Sequence, residues 1–210
     1  MRARTLLTGS LLAAGTAVAA AAAYPRFARE WCLTWGATAD EAARHLPGDD
    51  LVPRTDIVST RGITIDAPAA AVWPWLVQLG PGRGGAYTYD WIENLFGLDM
   101  HSADRILPEH QDLTIGDVFA LGRSGPRMEV AVLQRERALV YRSQDGHWSW
   151  AFVLDEDAAG RTRLLSRNRI ASPDAGPAGR LVNTVVMEPG SLVMERMMLL
   201  GIKERAERPD

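Results

Sequence analysis

The sequence contains only one cysteine, Cys32, among its 210 residues. A single thiol excludes an internal disulfide and is too few for a zinc site built from thiolates. A basic surplus is also lacking, because 23 Lys and Arg stand against 26 Asp and Glu, for a net charge of -3. That balance argues against an electrostatic nucleic-acid binder. The fold must therefore be held by its own hydrophobic core, and no nucleic-acid partner is expected.

Motifs for nucleotide, redox or metal chemistry are lacking as well. A glycine-rich stretch at residues 80–85 follows a predicted helix rather than a strand, and no Gly-Lys-Ser or Gly-Lys-Thr is present, so it is a connector and not a phosphate-binding loop. The sequence has no nucleophile elbow and no paired-histidine spacing of the HExxH kind. We therefore expect no cofactor and no bound metal.

The amino terminus differs in composition from the rest of the chain. Arg2 and Arg4 precede an uncharged run rich in Ala, Leu and Val, which as an α-helix would span about 30 Å, the thickness of a bilayer core. We favour a single-pass membrane anchor for residues 1–25. The alternative is a cleaved signal peptide and a secreted protein, although Arg26 and Arg29 just beyond the run oppose export. A buried helix of a soluble domain is a third interpretation.

The rest of the chain divides into a short tether and one main domain. Residues 26–56 are predicted to form the tether, with a short helix where Thr38 and Glu41 have the spacing of a capping box. Residues 57–207 are predicted to form the domain. A hydrophobic fraction of 47% and a charged fraction of 23% are ordinary for one soluble globular unit.

The order of elements in the main domain predicts an α+β fold. Alternation of period two predicts strands at 57–65, 118–121, 128–133, 139–142, from Trp148 onward and at 164–170. Asp66 is the predicted cap of a helix that runs to about Leu79. A terminal helix is predicted over 181–188 and 191–207, with a break at Pro189-Gly190. Antiparallel strands followed by one long helix are an α+β arrangement.

Two stretches carry a resemblance to a known superfamily. The sequence ITIDAP at residues 63–68, followed by VWPWL at 72–76, is similar to the first strand and first helix of the SRPBCC superfamily, the START-like or polyketide-cyclase-like proteins. The likeness extends over about residues 57–207. Segments 35–38, 101–105 and 194–203 also resemble a bacterial subgroup whose members carry an amino-terminal hydrophobic segment.

The resemblance implies a helix-grip fold, in which a curved antiparallel sheet wraps a long carboxy-terminal helix and leaves a deep hydrophobic cavity. Members of the superfamily bind lipids, sterols, polyketides or plant hormones, and some are cyclases or hydrolases. The expected partner is therefore a hydrophobic small molecule or a lipid, while the fold alone fixes no reaction. The sequence indicates no oligomeric state.

Aromatic, methionine and polar side chains are candidates for the wall of that cavity. Alternation places the aromatic residues of 148–152 on one strand face, opposite the methionines of the terminal helix. On the following strand two polar residues share the inner face, and the arginines at 163, 167 and 169 are expected to point away from it. The alternative is a filled core with no room for a ligand. The candidate ligand-binding residues are Trp148, Trp150, Phe152, Ser166, Asn168, Met194, Met197, Met198, Tyr87 and Trp91.

A smaller set of residues could support catalysis at the cavity mouth. A histidine close to carboxylates is a candidate general base, which points to His101 with Asp104. Tyr89 with Asp90 is a second candidate pair, and Glu93 shares a helix face with Asp90. The alternative for these residues is a loop that forms structural hydrogen bonds. The function hypotheses are thus a ligand-binding domain, a cyclase or dehydratase, and a structural or interaction domain.

Overall fold

The computed structural model describes residues 23–95, 97–122 and 125–208. The predicted anchor or signal peptide lies almost wholly in residues 1–22, outside the described residues. Within the described ranges, no helix has both the length and the apolar character needed to cross a bilayer.

A single antiparallel sheet of six strands forms the body of the molecule, in the order β1-β6-β5-β4-β3-β2. Its strands are β1 (Ile57–Ile65), β2 (Val118–Ala120), β3 (Arg127–Gln134), β4 (Ala138–Ser143), β5 (Trp148–Glu156) and β6 (Thr162–Ile170). The predicted strands are confirmed, because their alternating side chains do face opposite sides of the sheet. The first and last strands are neighbours, so the sheet brings both ends of the domain together.

The helices lie before, within and after the strand series. They are α1 (Arg29–Leu33), α2 (Ala39–Ala43), α3 (Ala69–Val77), α4 (Asp90–Leu95), α5 (Pro177–Val182) and α6 (Glu188–Ala206), with a π-helical segment, Asn183–Met187, between α5 and α6. Short 3₁₀ turns occur at Asp49–Leu51 and Pro108–His110. A six-stranded antiparallel sheet with one long terminal helix confirms the predicted α+β, helix-grip architecture.

The predicted break in the terminal helix is wrong. Pro189 lies in the first turn of α6, and helical backbone runs without interruption from Pro177 to Ala206. The irregularity lies instead in the π-helical segment just before Pro189. A wider turn changes the backbone hydrogen-bond pattern there, and a first-turn proline needs no N–H partner.

The predicted start of α3 also needs correction. The helix begins at Ala69 and ends at Val77, and no side chain of its own segment caps it. The backbone N–H of Ala69 instead donates to Oε2 of Glu156, at 2.8 Å, from the end of β5. The capping carboxylate therefore comes from the sheet rather than from Asp66, which a local sequence pattern cannot reveal.

The hydrophobic core lies between the inner face of the sheet and helices α3 and α6. Its fully buried side chains include Leu76 of α3, Leu139 and Phe152 of the sheet, and Leu199 and Ile202 of α6. The cavity of the protein lies on this same face of the sheet.

The outer face of the sheet is covered by residues 35–53. Arg167 is only 3% exposed there and pairs with Asp49 at 2.7 Å. Its guanidinium also donates to Thr60 Oγ1 and to the carbonyl oxygens of Glu41, Ala42 and Arg44. The β6 arginines do point away from the inner face, as predicted, but Arg167 meets protein rather than solvent.

Candidate ligand-binding cavity

Two adjoining chambers lie on the inner side of the sheet. The first chamber, of about 340 Å³, lies between strands β1, β5 and β6 and the start of α6. The second chamber, of about 360 Å³, lies between β2, β4, β5 and the chain from Leu79 to Met100. Both are lined by Ala86, Glu93, Trp148 and Trp150, so these residues form the junction of the two chambers.

An aromatic series on β4 and β5 forms the sheet side of the chambers. Trp148 and Trp150 stack with ring centroids 6.0 Å apart and planes inclined by 18°. The ring centroid of Trp150 also lies 4.8 Å from that of Phe152 and 6.5 Å from that of Tyr141. Residues two apart on a strand share a face, which is why these rings form one continuous wall.

Each indole of that wall is held by a polar residue of β6. Trp148 Nε1 donates to Asn168 Oδ1 at 2.8 Å, and Trp150 Nε1 donates to Ser166 Oγ at 3.0 Å. The polar inner face of β6 therefore orients the rings, and its cost of burial is offset by hydrogen bonds.

A buried ion pair joins the sheet to α6 beside the first chamber. Glu195 accepts hydrogen bonds from Ser166 Oγ and Asn168 Nδ2 and pairs with Arg61 of β1. Arg61 also donates from Nη2 to Ser191 Oγ at 3.0 Å. Burial raises the pKa of Glu195, and Arg61 with the two hydrogen bonds opposes that rise. Every oxygen of this carboxylate thus has a partner.

Glu188 links the start of α6 to the amino-terminal helical residues. Its carboxylate pairs with Arg29 at 2.8 Å and accepts a hydrogen bond from the Tyr24 hydroxyl at 3.1 Å. The thiol of Cys32 donates to the Glu188 carbonyl oxygen at 3.3 Å. Helix α1 is therefore fixed to the part of α6 that lines the first chamber.

Glu93 at the chamber junction has a different environment from Glu195. It is 7% exposed, and burial, with a smaller contribution from the charge of Asp90, raises its pKa to about 7. Tyr141, in the second chamber, is fully buried against Phe119 at 5.0 Å, and burial raises the pKa of its phenol. Neither Glu93 Oε2 nor Tyr141 Oη has a hydrogen-bond partner within residues 23–95, 97–122 and 125–208.

The structure brings half of the sequence-derived binding residues to the chamber surface. Trp148, Trp150, Asn168, Met194 and Met198 line the first chamber.

The other half lies elsewhere. Phe152 and Ser166 are fully buried; Phe152 belongs to the aromatic wall without lining either chamber among the described residues, and Ser166 supports Trp150. Tyr87 is buried with its hydroxyl donating to Trp75 O at 2.9 Å. Met197 is half-buried and Trp91 is exposed, and in the described part of the chain neither lines a chamber.

The members of the first candidate catalytic pair contact other residues rather than each other. His101 lies 3.2 Å from Asp99 and its side chain is 79% exposed, whereas Asp104 pairs with Arg205 at 3.3 Å.

The second pair is likewise engaged outside the chambers. Asp90 accepts hydrogen bonds from the backbone N–H and hydroxyl of Ser102, at 2.8 and 2.6 Å. Tyr89 is partly exposed. As far as the described residues go, His101, Asp104, Tyr89 and Asp90 line neither chamber.

The sequence reasoning missed Arg61, Glu195 and Tyr141, and weighed Glu93 only as a partner of Asp90. One signal was present for Glu195. It lies between Leu192 and Leu199 on the buried arc of the terminal helix, three and four residues from them. A carboxylate inside an apolar arc indicates a buried charge that needs a partner.

Comparison with known proteins assigns neither a family nor a function. No family model matches the chain, and no curated protein matches its sequence. Among solved structures, a hypothetical protein from Helicobacter pylori, jhp0584, is 13% identical with a TM-score of 0.49, over 81% of this chain and all of that one (100%).

Two further solved structures are similar to the chain. Protein MLL2253 from Mesorhizobium loti is 14% identical with a TM-score of 0.44, over 73% of this chain and 99% of that one. The polyketide_cyc-like protein Cgl2372 from Corynebacterium glutamicum is 16% identical with a TM-score of 0.37, over 73% and 88%. At these identities and TM-scores the neighbours carry no argument about this chain, and its helix-grip α+β fold rests on its own six-stranded antiparallel sheet and long terminal helix.

Proposed function

We propose that this protein binds an apolar small molecule or lipid in its two chambers, next to a membrane surface. The observation that carries the proposal is the first chamber itself, about 340 Å³ of space between the sheet and the start of α6. Protein interiors contain few voids larger than a water molecule, and ligand cavities begin at about 300 Å³. The chambers argue against the filled-core alternative.

Exposed apolar residues near the first chamber support a membrane-side location. Trp31, in the helix α1 that packs against α6, is 61% exposed, and Phe27, just before that helix, is 84% exposed. Met187 is exposed and also lines the first chamber. Large aromatic side chains are favoured where water meets lipid. The uncharged run before residue 25 would bring this surface to a bilayer if it is the anchor.

The test is to identify what the purified full-length protein carries. Organic extraction and mass spectrometry should recover an apolar molecule in about equimolar amount. Ala86→Leu adds volume where both chambers meet, so this variant should lose the molecule. Ala158→Leu makes the same chemical change on the surface and should keep it. Extracts without such a molecule, together with no binding from a panel of apolar compounds, would reject the proposal.

A further inference from the structure

We infer that the ligand is a neutral apolar molecule bearing a hydroxyl group, and that this hydroxyl is bound by the Glu93 carboxyl group where the two chambers meet. The inference rests on the proposed binding function and names the chemistry of its ligand. Tyr141 is assigned a second role, to donate its phenolic hydrogen to another oxygen of the same ligand in the second chamber.

Buried polar atoms without a hydrogen-bond partner are rare in folded proteins. Folded proteins pair the large majority of such atoms, because a donor or acceptor removed from water without a partner is costly. Among the described residues, three buried side-chain atoms have no partner: Arg83 Nε, Glu93 Oε2 and Tyr141 Oη.

Two of these three atoms belong to residues that line the chambers. Glu93 lines both chambers and Tyr141 lines the second. Arg83 does not share this position, and its Nη2 already donates to the carbonyl oxygens of Val77 and His110, at 3.1 and 2.9 Å. The unmet hydrogen bonds therefore coincide with the space that a ligand would fill.

Glu93 differs from the other two carboxylates that line the first chamber. Glu195 and Glu188 also line the first chamber, but both are paired, with Arg61 and Arg29 respectively. These two carboxylates are thus already satisfied by protein. Glu93 is the chamber carboxylate whose buried oxygen has no partner in the described residues, so a ligand hydroxyl binds there.

The charged residues around the first chamber favour a neutral ligand. Three carboxylates line the first chamber, and the two arginines beside them are already engaged in ion pairs. A fatty-acid anion or a phosphate in this space would face Glu93, and none of the described residues that line the chamber is a lysine or an arginine that could pair with it, which is unfavourable in a poorly solvated site. A neutral hydroxyl can instead donate to the carboxylate, or exchange hydrogen bonds with a protonated carboxyl.

The experiment compares two probes that differ in one hydrogen-bond donor. Binding of 1-naphthol and of 1-methoxynaphthalene to the full-length protein is measured by equilibrium dialysis at pH 7. We expect the protein to bind the naphthol at least tenfold more tightly. Glu93→Leu should bring the two affinities within about twofold of each other, and Glu93→Gln, which keeps an acceptor, should restore part of the preference.

Further variants separate the two contacts and check the fold. Tyr141→Phe removes only the phenolic oxygen, so it should leave the affinity for 1-naphthol within about twofold and weaken binding of 1,5-dihydroxynaphthalene, which carries a second oxygen. Glu109→Leu makes the same change as Glu93→Leu at an exposed position outside the chambers, so it is the matched control and should keep the preference. Circular dichroism melting confirms that each variant is folded.

The outcomes distinguish this inference from the proposal beneath it. Equal binding of both probes to the unaltered protein overturns the assigned role of Glu93 and leaves the cavity function standing, whatever the variants do. Binding of neither probe, combined with an empty extract, overturns both. A preference for 1-naphthoate over 1-naphthol would also reject the assignment, because it would show an anion-binding cavity.

Discussion

Glu93 and Glu195 are both buried carboxylates facing the same space, yet their neighbours give them opposite roles. Glu195 is held by Arg61, Ser166 and Asn168 and fixes α6 to the sheet. In the described part of the chain Glu93 Oε2 has no hydrogen-bond partner, and burial raises the pKa of this residue to about 7. A paired carboxylate contributes to structure, whereas an unpaired one makes the folded state depend on pH and on ligand.

A pH-dependent cost of folding follows for Glu93. In the unfolded chain this carboxyl loses its proton near pH 4.5, and in the folded protein near pH 7. The folded state therefore binds more protons in this window, so the contribution of Glu93 to the free energy of unfolding falls as pH rises from about 4.5 to 7. The fall is at most about 3 kcal/mol.

Glu93→Gln tests that cost. The stability of the variant relative to the unaltered protein should increase between pH 4.5 and pH 8, as measured by urea unfolding at each pH. Other titrating groups act in both proteins and cancel in the difference. A difference that does not change over this range would show that Glu93 is solvated in the folded state.

Prediction from sequence was uneven at this scale. The positions of Trp148, Trp150 and Asn168 on one inner face follow from alternation, which is a local property. The lack of hydrogen-bond partners for Glu93 Oε2 and Tyr141 Oη in the described residues does not follow from a local pattern. It depends on how segments far apart in the chain pack around the two side chains. No window of sequence around either residue contains that information.

At the scale of elements, the capping box of α2 has a second function. Thr38 and Glu41 form the predicted reciprocal cap, and Glu41 also receives Arg163 of β6, Nε on Oε1 at 2.7 Å and Nη2 on Oε2 at 2.8 Å. These hydrogen bonds from Arg163, with a smaller contribution from Thr38, lower the pKa of Glu41 to about 2. A five-residue helix, too short to be stable alone, is thereby attached to the sheet.

Arg163→Met should weaken that attachment. We expect a loss of about 1–2 kcal/mol in the free energy of unfolding at pH 7, because a forked, mostly buried pair is removed. The loss should shrink as pH falls from about 4.5 toward 2, where Glu41 becomes protonated in both states.

Arg135→Met provides the matched control. Arg135 pairs with Glu136 on the surface and is 84% exposed, so its removal should change stability by less than about 0.5 kcal/mol. Equal effects of the two substitutions, measured by chemical unfolding, would contradict the role assigned to Arg163.

The bounds of elements could be predicted where hydrophobic residues recur periodically. They could not be predicted where proline or glycine was taken as the end of a helix. The strands of the sheet agree with their alternating patterns. The terminal helix passes through Pro189-Gly190 without a break, because the wider turn of Asn183–Met187 precedes it. A rule that treats proline and glycine as helix breakers cannot foresee such a turn.

Across the whole molecule, the residues before β1 are part of the folded layer structure. They supply Asp49 and three backbone carbonyl oxygens to the buried guanidinium of Arg167. The carbonyl of Trp35 also accepts the N–H of Gly62 in β1, at 3.1 Å. The sheet thus has helix α6 on one face and an irregular cover on the other.

Removal of the cover should abolish stable folding. A chain that begins at residue 54 would leave the Arg167 charge and an apolar sheet face without partners, a loss of several kcal/mol. We expect it to aggregate or to lose its cooperative melting transition, while a chain that begins at residue 23 melts cooperatively. Arg167→Met in the shorter chain should recover part of the transition. A shorter chain that melts within a few degrees of the longer one would show that the cover is dispensable.

The π-helical segment Asn183–Met187 leaves α5 free to change over evolution independently of the cavity. Each residue of a helix turns the chain by about 100°, so the number of residues in this segment, rather than their identity, sets the direction in which α5 faces relative to α6. Deletion of one codon ahead of Met187 would turn α5 to a different side of the helix axis. Gain or loss of a single residue at this point would therefore present a new surface on α5 while every side chain of α6 stayed in its place on the sheet.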